Sequence, residues 1–280
     1  MTARRQLAAA TIGDGVARAF RQARTPGHGV GLVVGTFSSG FYVSAGDTVF
    51  AVVGPTVAAG PIHLLLDALP PCPSEGSVVY LGPDRLWTDS SLIDMSHSSR
   101  FRPTRPTPVQ LDLAARTLAD VDREDAIPID VAHVWPAVRD AVERSDLHAA
   151  RELLQGLGGG LTPTGDDVLA SLLLFARWAD PLSVVPTEVA EHAATTDLSR
   201  CFLGWAAAGQ SIQPVHDLVT AACQIAESAA GGTGAAALPA HERFARAFAE
   251  VAAIGGSSGK AMLAGLGLAA TAACMSTRGR

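Results

Sequence analysis

A chain of 280 residues with 48% hydrophobic residues and a mean hydropathy of +0.24 can bury a sizeable core and is too apolar to remain disordered. Its formal net charge of −6, with no long basic run, excludes the electrostatic footprint of a nucleic-acid binder. Four scattered cysteines, Cys72, Cys201, Cys223 and Cys274, form no CxxC pair, so reduced thiols in a cytoplasmic protein are expected, not a disulfide framework.

The first residues, MTARRQLAAATIGDG, hold an apolar stretch too short for a signal sequence. From residue 28 to 95 the runs HGVGLVVG, GFYVSAG, TVFAVVG, IHLLLDAL, SVVYLG and SLIDM are short, rich in Val, Leu and aromatics, and separated by turn residues such as SAGD and LGPD. They predict strands joined without helical crossovers. RFRPTRPTPV, with three prolines, predicts an extended connection that includes the basic cluster Arg100, Arg102 and Arg105. Beyond it, LDLAARTLADV, VWPAVRDAVERS, LHAARELLQGL, DVLASLLLFARW, LSRCFLGWAAAG, VHDLVTAACQIAESA, HERFARAFAEVAAI and KAMLAGLGLAATAACM repeat apolar residues at helical spacing. The expected class is α+β, with an N-terminal antiparallel β sheet or small barrel over residues 1–105 and a C-terminal all-α domain over residues 106–280. The longest apolar run, AMLAGLGLAATAACM, counts 15 residues. That is short of the ~18–20 needed to span a bilayer, so no membrane partner is expected.

Residues 156–167 read GLGGGLTPTGDD. Gly156 suits a left-handed cap closing the preceding helix, and Thr164 with Asp167 fits a capping box opening the next. That account leaves Gly158, Gly159, Gly160 and Asp166 unexplained, and a close backbone approach to a ligand explains them better. A dinucleotide fingerprint fails, because the third glycine would fall at Leu161 or Pro163 and no strand precedes the loop. A helix start draws anions, yet Asp166 and Asp167 would repel a bare phosphate. Either Mg²⁺ bridges the two carboxylates to the phosphate, or they accept hydrogen bonds from a substrate amide. Asp166 and Asp167 are thus both the catalytic and the metal candidates, and Thr162, Thr164 and Gly165 line the same loop.

A second loop, AIGGSSGKAML, also opens a helix. It is not a P-loop, since Ile254 stands where the first glycine belongs and Ala261 follows the lysine. It matches G-x-S-x-G literally, but no Asp, Glu or His follows Ser257 to complete a hydrolase triad. Gly256, Ser257, Ser258 and Gly259 instead offer N–H groups and hydroxyls to an oxyanion, and Lys260, the single lysine of the chain, adds a point charge. The alternative is a solvated first turn beside a close helix contact. In TTDLSRCFLG, Thr196, Ser199 and Arg200 are candidate ligand contacts, with Arg200 able to fork onto a carboxylate. Thr196 or Asp197 serves equally as a helix cap. The histidines form no H-E-x-x-H pattern, which leaves a zinc site unsupported.

Taken together and in this order, LLQGLGGGLTPTGDDVLASLL, TTDLSRCFLGWAAAG and IGGSSGKAMLAG resemble the AllH-type subunit family of oxamate carbamoyltransferase. The resemblance covers the C-terminal 130 residues or so, and its motif falls on Gly156, Gly158, Gly160, Leu161, Thr162, Pro163, Gly165, Asp166, Asp167, Thr195, Thr196, Ser199, Gly256, Ser258 and Gly259. Gly159 stands in place of a proline of the family pattern, and Ala261 in place of an acidic residue. The resemblance implies a subunit of an assembly that moves a carbamoyl group between oxalurate and phosphate, giving oxamate and carbamoyl phosphate in purine-nitrogen catabolism. It implies other subunits as partners and a small-molecule substrate. A noncatalytic structural subunit, or a stand-alone Mg²⁺-dependent enzyme binding an acyl phosphate or nucleotide, are the alternatives.

Overall fold

The short Val- and Leu-rich runs become strands that close on themselves. In the computed structural model, which describes residues 4–25, 27–121, 127–231 and 234–278, the chain divides into two units, Met1–Arg102 and Pro103–Arg280. The first contains β1 (Arg5–Ile12), α1 (Asp14–Gln22), β2 (Val30–Phe37), β3 (Gly40–Ala45), β4 (Thr48–Val53), β5 (His63–Leu66), β6 (Val78–Gly82), β7 (Arg85–Trp87), β8 (Ser91–Asp94) and β9 (Ser99–Arg100). The strand order β5-β4-β3-β2-β6-β7-β8-β1 is closed by pairing of β1 with β5, which makes an eight-stranded barrel. β9 adds to the far end of β1.

The small barrel matches the sequence expectation, but the pairing is mixed. β4–β5 and β1–β8 run parallel, because β5 follows β4 through the connection 54–62, which returns the chain to the same end, and β8 and β1 are distant in sequence. β1 and α1 are not evident from the sequence. Alanine is a poor strand former, and β1 exists because β5 and β8 supply hydrogen-bond partners on its two sides. β4, TVFAVV, is buried along its whole length. Its unbroken apolar run reflects cover on both faces, α1 lying against it with Phe20 and Phe50 at 6.0 Å between ring centroids.

The second unit holds α2 (Pro108–Ala119), α3 (Trp135–Glu143), α4 (Leu147–Leu154), α5 (Thr164–Ala179), α6 (Val185–Glu191), α7 (Asp197–Ala207), α8 (Gln213–Gly231), α9 (Gly234–Ala252) and α10 (Ser258–Arg278). A Thr107–Gln110 capping box starts α2 with Pro108 in its first turn. α5 is buried on nearly every side, and α10 packs along it. The two backbones meet at Gly265, where a Cβ would stand 2.6 Å from the Val168 carbonyl oxygen. α10 is also the one helix among the described residues long and apolar enough, by length and composition, to cross a membrane. Much of it is core, 61% of the window Ser258–Ser276 being buried.

Candidate functional site

The first glycine loop connects α4 to α5. Gly156 closes α4 in the left-handed region, with φ 68°. Gly158, at φ 112°, lets the chain pass against the next helix start, since a Cβ there would lie 2.8 Å from Thr164 N. The capping-box reading of Thr164 is corrected. Pro163 occupies the cap position and no side chain caps the helix, so Thr164 lies one residue inside. Its hydroxyl instead donates to Asp130 Oδ2 at 2.8 Å and meets Ser257 Oγ at 3.2 Å. Asp130, in a 3₁₀ turn at Ile129–Val131, carried no sequence signal because its role depends on a contact with a residue 34 positions later.

The second and third motifs converge on this loop. Thr162 Oγ1 lies 3.5 Å from Ser258 Oγ, so Thr162, Thr164, Ser257 and Ser258 form a band of hydroxyls between the starts of α5 and α10. Thr196 caps α7 by accepting from Ser199 N at 3.0 Å, and donates to Leu161 O at 2.7 Å. Thr195 Oγ1 donates to Asp166 Oδ2, while Asp166 Oδ1 accepts from Gly156 N at 2.9 Å. Three helix starts therefore surround one glycine loop.

The two carboxylates differ in what surrounds them. Asp166 is buried, with both oxygens engaged by the protein itself. Asp167 Oδ2 is buried and has no hydrogen-bond partner. Burial pushes the Asp167 carboxyl up to about 7; a hydrogen bond with Ser258 opposes the shift and the neighbouring Asp166 charge adds to it. The group is thus poised to hold or release a proton near neutrality.

The glycines separate into two kinds. A Cβ at Gly165 would stand 2.1 Å from Leu154 O, and one at Gly259 1.9 Å from Val251 O, so these serve helix packing. Gly159 and Gly256 have neither a positive φ nor any atom within 4 Å of a Cβ position. Gly160 has φ 89° and likewise faces open space. Among the described residues no acceptor in the protein meets the N–H groups of Gly159, Gly160 or Gly256.

Not every candidate joins the cluster by contact. Arg200 is exposed and paired with Asp197 one turn away. Ser199 is buried, its N–H spent on the Thr196 cap and its Oγ without a partner. Lys260 is exposed in the first turn of α10. No group of three or more His, Cys, Asp and Glu that would hold a metal occurs among the described residues. With Asp166 fully engaged, Asp167 alone is a thin donor set for Mg²⁺, which takes octahedral oxygen coordination.

The family model described as oxamate carbamoyltransferase subunit AllH matches residues 154–270. No curated protein and no solved structure matches the chain. The matched stretch runs from the end of α4 into α10 and takes in all three motifs that meet at the glycine loop, so the similarity to that family is to this part of the helical unit.

Proposed function

We propose that this chain is the part of a carbamoyltransferase assembly that binds phosphate and the carbamoyl group of oxalurate, at the junction of residues 158–164 with 256–260. The observation that carries this reading is the band of four hydroxyls, bordered by open glycine N–H groups, beside the unpartnered Asp167 oxygen. Hydroxyls and N–H groups at helix starts suit phosphate oxygens and a developing carbonyl oxyanion. In the reaction a phosphate oxygen attacks the carbamoyl carbon, the bond from that carbon to the oxamate nitrogen breaks, and the nitrogen takes a proton. Asp167, protonated, is the donor to that nitrogen and also tolerates a nearby phosphate. It regains a proton from the attacking hydrogen phosphate. Asp166 positions the loop from behind. The proposed setting is the cytoplasm, a reading supported by four free thiols.

A noncatalytic subunit is the second reading, favoured by the exposed Arg200 and Lys260, which join no hydroxyl of the band. The test is carbamoyl phosphate formation from oxalurate and phosphate by the purified chain together with its co-purifying subunits. Asp167→Asn is expected to lower turnover by about a hundredfold or more, with assembly intact. Unchanged turnover in a correctly assembled Asp167→Asn complex would move the chemistry to a partner.

A further inference from the structure

A row of hydroxyls has a direction, because each hydroxyl has a single proton to donate but can also accept. In this protein one end of the row is fixed. Asp130, whose exposed carboxylate can only accept, takes the Thr164 proton at 2.8 Å. Thr164 is 1% exposed and has no second proton, so it is the acceptor in its 3.2 Å contact with Ser257 Oγ. Ser257 therefore donates to Thr164. Its own oxygen is left with lone pairs only, and among the described residues no other hydrogen bond engages that hydroxyl. Ser257 is half-buried where Thr164 is fully buried, so a ligand meets this limb at Ser257. The other limb is set differently. Ser258 gives its proton to the Asp167 carboxylate. Thr162, at 3.5 Å from Ser258 Oγ, is held loosely and keeps a proton that it can turn toward an anion.

We infer that Asp130 is a positioning residue which, acting through Thr164, makes Ser257 the acceptor for the amino group of the substrate's carbamoyl end; this rests on the function proposed above. The site thereby divides into two halves. Ser257 recognises N–H, while Thr162 and the open N–H groups of Gly159, Gly160 and Gly256 serve oxyanions. A phosphate oxygen at Ser257 would set lone pair against lone pair, whereas an amide N–H there completes a hydrogen bond. The carbamoyl group is thus oriented with its nitrogen at Ser257, just ahead of α10, and its carbonyl oxygen toward the glycine N–H groups, where negative charge develops during attack.

Calorimetric titration of the full chain with oxalurate and with inorganic phosphate, at neutral pH, tests the inference. Asp130→Ala and Asp130→Asn remove the same charge, but only asparagine keeps an oxygen that accepts from Thr164. The asparagine variant is expected to bind oxalurate about fivefold more tightly than the alanine variant, while the two bind phosphate alike. Ser257→Ala should weaken oxalurate by a similar factor and leave phosphate as in wild type. Neither residue belongs to the core, so all three variants should keep the wild-type circular dichroism and melting curve. Equal oxalurate affinities in the two Asp130 variants, or a parallel loss of both ligands in Asp130→Ala, would overturn the inference and leave the proposed function standing. A wild-type chain that binds neither ligand would overturn both.

Discussion

The carboxylate of Asp166 accepts from Gly156 N and Thr195 Oγ1, whereas Asp167 keeps one buried oxygen without a partner. Opposite stability responses to loss of the two carboxylates follow. Asp166→Ala removes the acceptor of two part-buried donors, the Gly156 N–H and the Thr195 hydroxyl, and should cost roughly 1–3 kcal/mol by urea unfolding. Asp167→Asn removes a carboxylate that folding disfavours. The Asp167 carboxyl is raised from its ordinary 3.8 to about 7. Its penalty is absent below pH 4, grows from pH 4 to 7, and is complete above pH 7. Relative to wild type, the Asn variant should therefore gain melting temperature between pH 5 and pH 8. Over that window the gain is worth at most about 3 kcal/mol before solvent screening and ~1–2 after it. An equal offset at both pH values would refute the assignment. The DD pair was legible in the sequence, but which carboxylate is engaged was not, because the deciding hydroxyl, Thr195, lies 29 residues away.

At the scale of elements, periodicity announced α2–α5 and α7–α10, and turn residues bounded β2–β6 and β8. β1 escaped because its alanines take their conformation from the strands they pair with. Position relative to a neighbouring helix likewise decided which glycines are structural. Gly165→Ala and Gly259→Ala press on carbonyl oxygens of α4 and α9 and should cost more than about 2 kcal/mol each. Gly159→Ala and Gly256→Ala should leave the unfolding midpoint unchanged or slightly raised, by ~0.4–1 kcal/mol, while weakening phosphate affinity measured by calorimetry. α8 adds a pH-dependent anchor. His216 Nδ1 donates to Thr104 O at 2.8 Å, its Nε2 accepts from Ser211 N at 3.0 Å, and burial lowers it to about 4. This neutral imidazole contributes stability in full above about pH 6.5 and loses it as the pH falls toward 4. Between pH 7 and pH 5 the loss should reach about 2 kcal/mol, and His216→Gln should flatten that slope in paired melts.

At the scale of the whole molecule, each unit has its own interior. The large core cluster of the helical unit runs from Leu111 to Ala270 and includes no barrel residue. Residues 103–280 expressed alone should therefore keep a helical circular-dichroism spectrum and a cooperative thermal transition; a molten spectrum would show that the barrel is needed. The proline-rich connection predicted between the units contains the division at Arg102 and Pro103. Closure of the barrel was the harder inference, since it depends on β1 finding β5 across more than fifty residues. The open glycines carry one further consequence. Because the fold leans on Gly165, Gly259 and Gly265 but not on Gly159 or Gly256, heritable change at the latter two positions meets little resistance from foldability. Selection can thus reshape what the loops accept while the helices that present them stay as they are, so chains sharing this scaffold are free to diverge in ligand by drift at two positions.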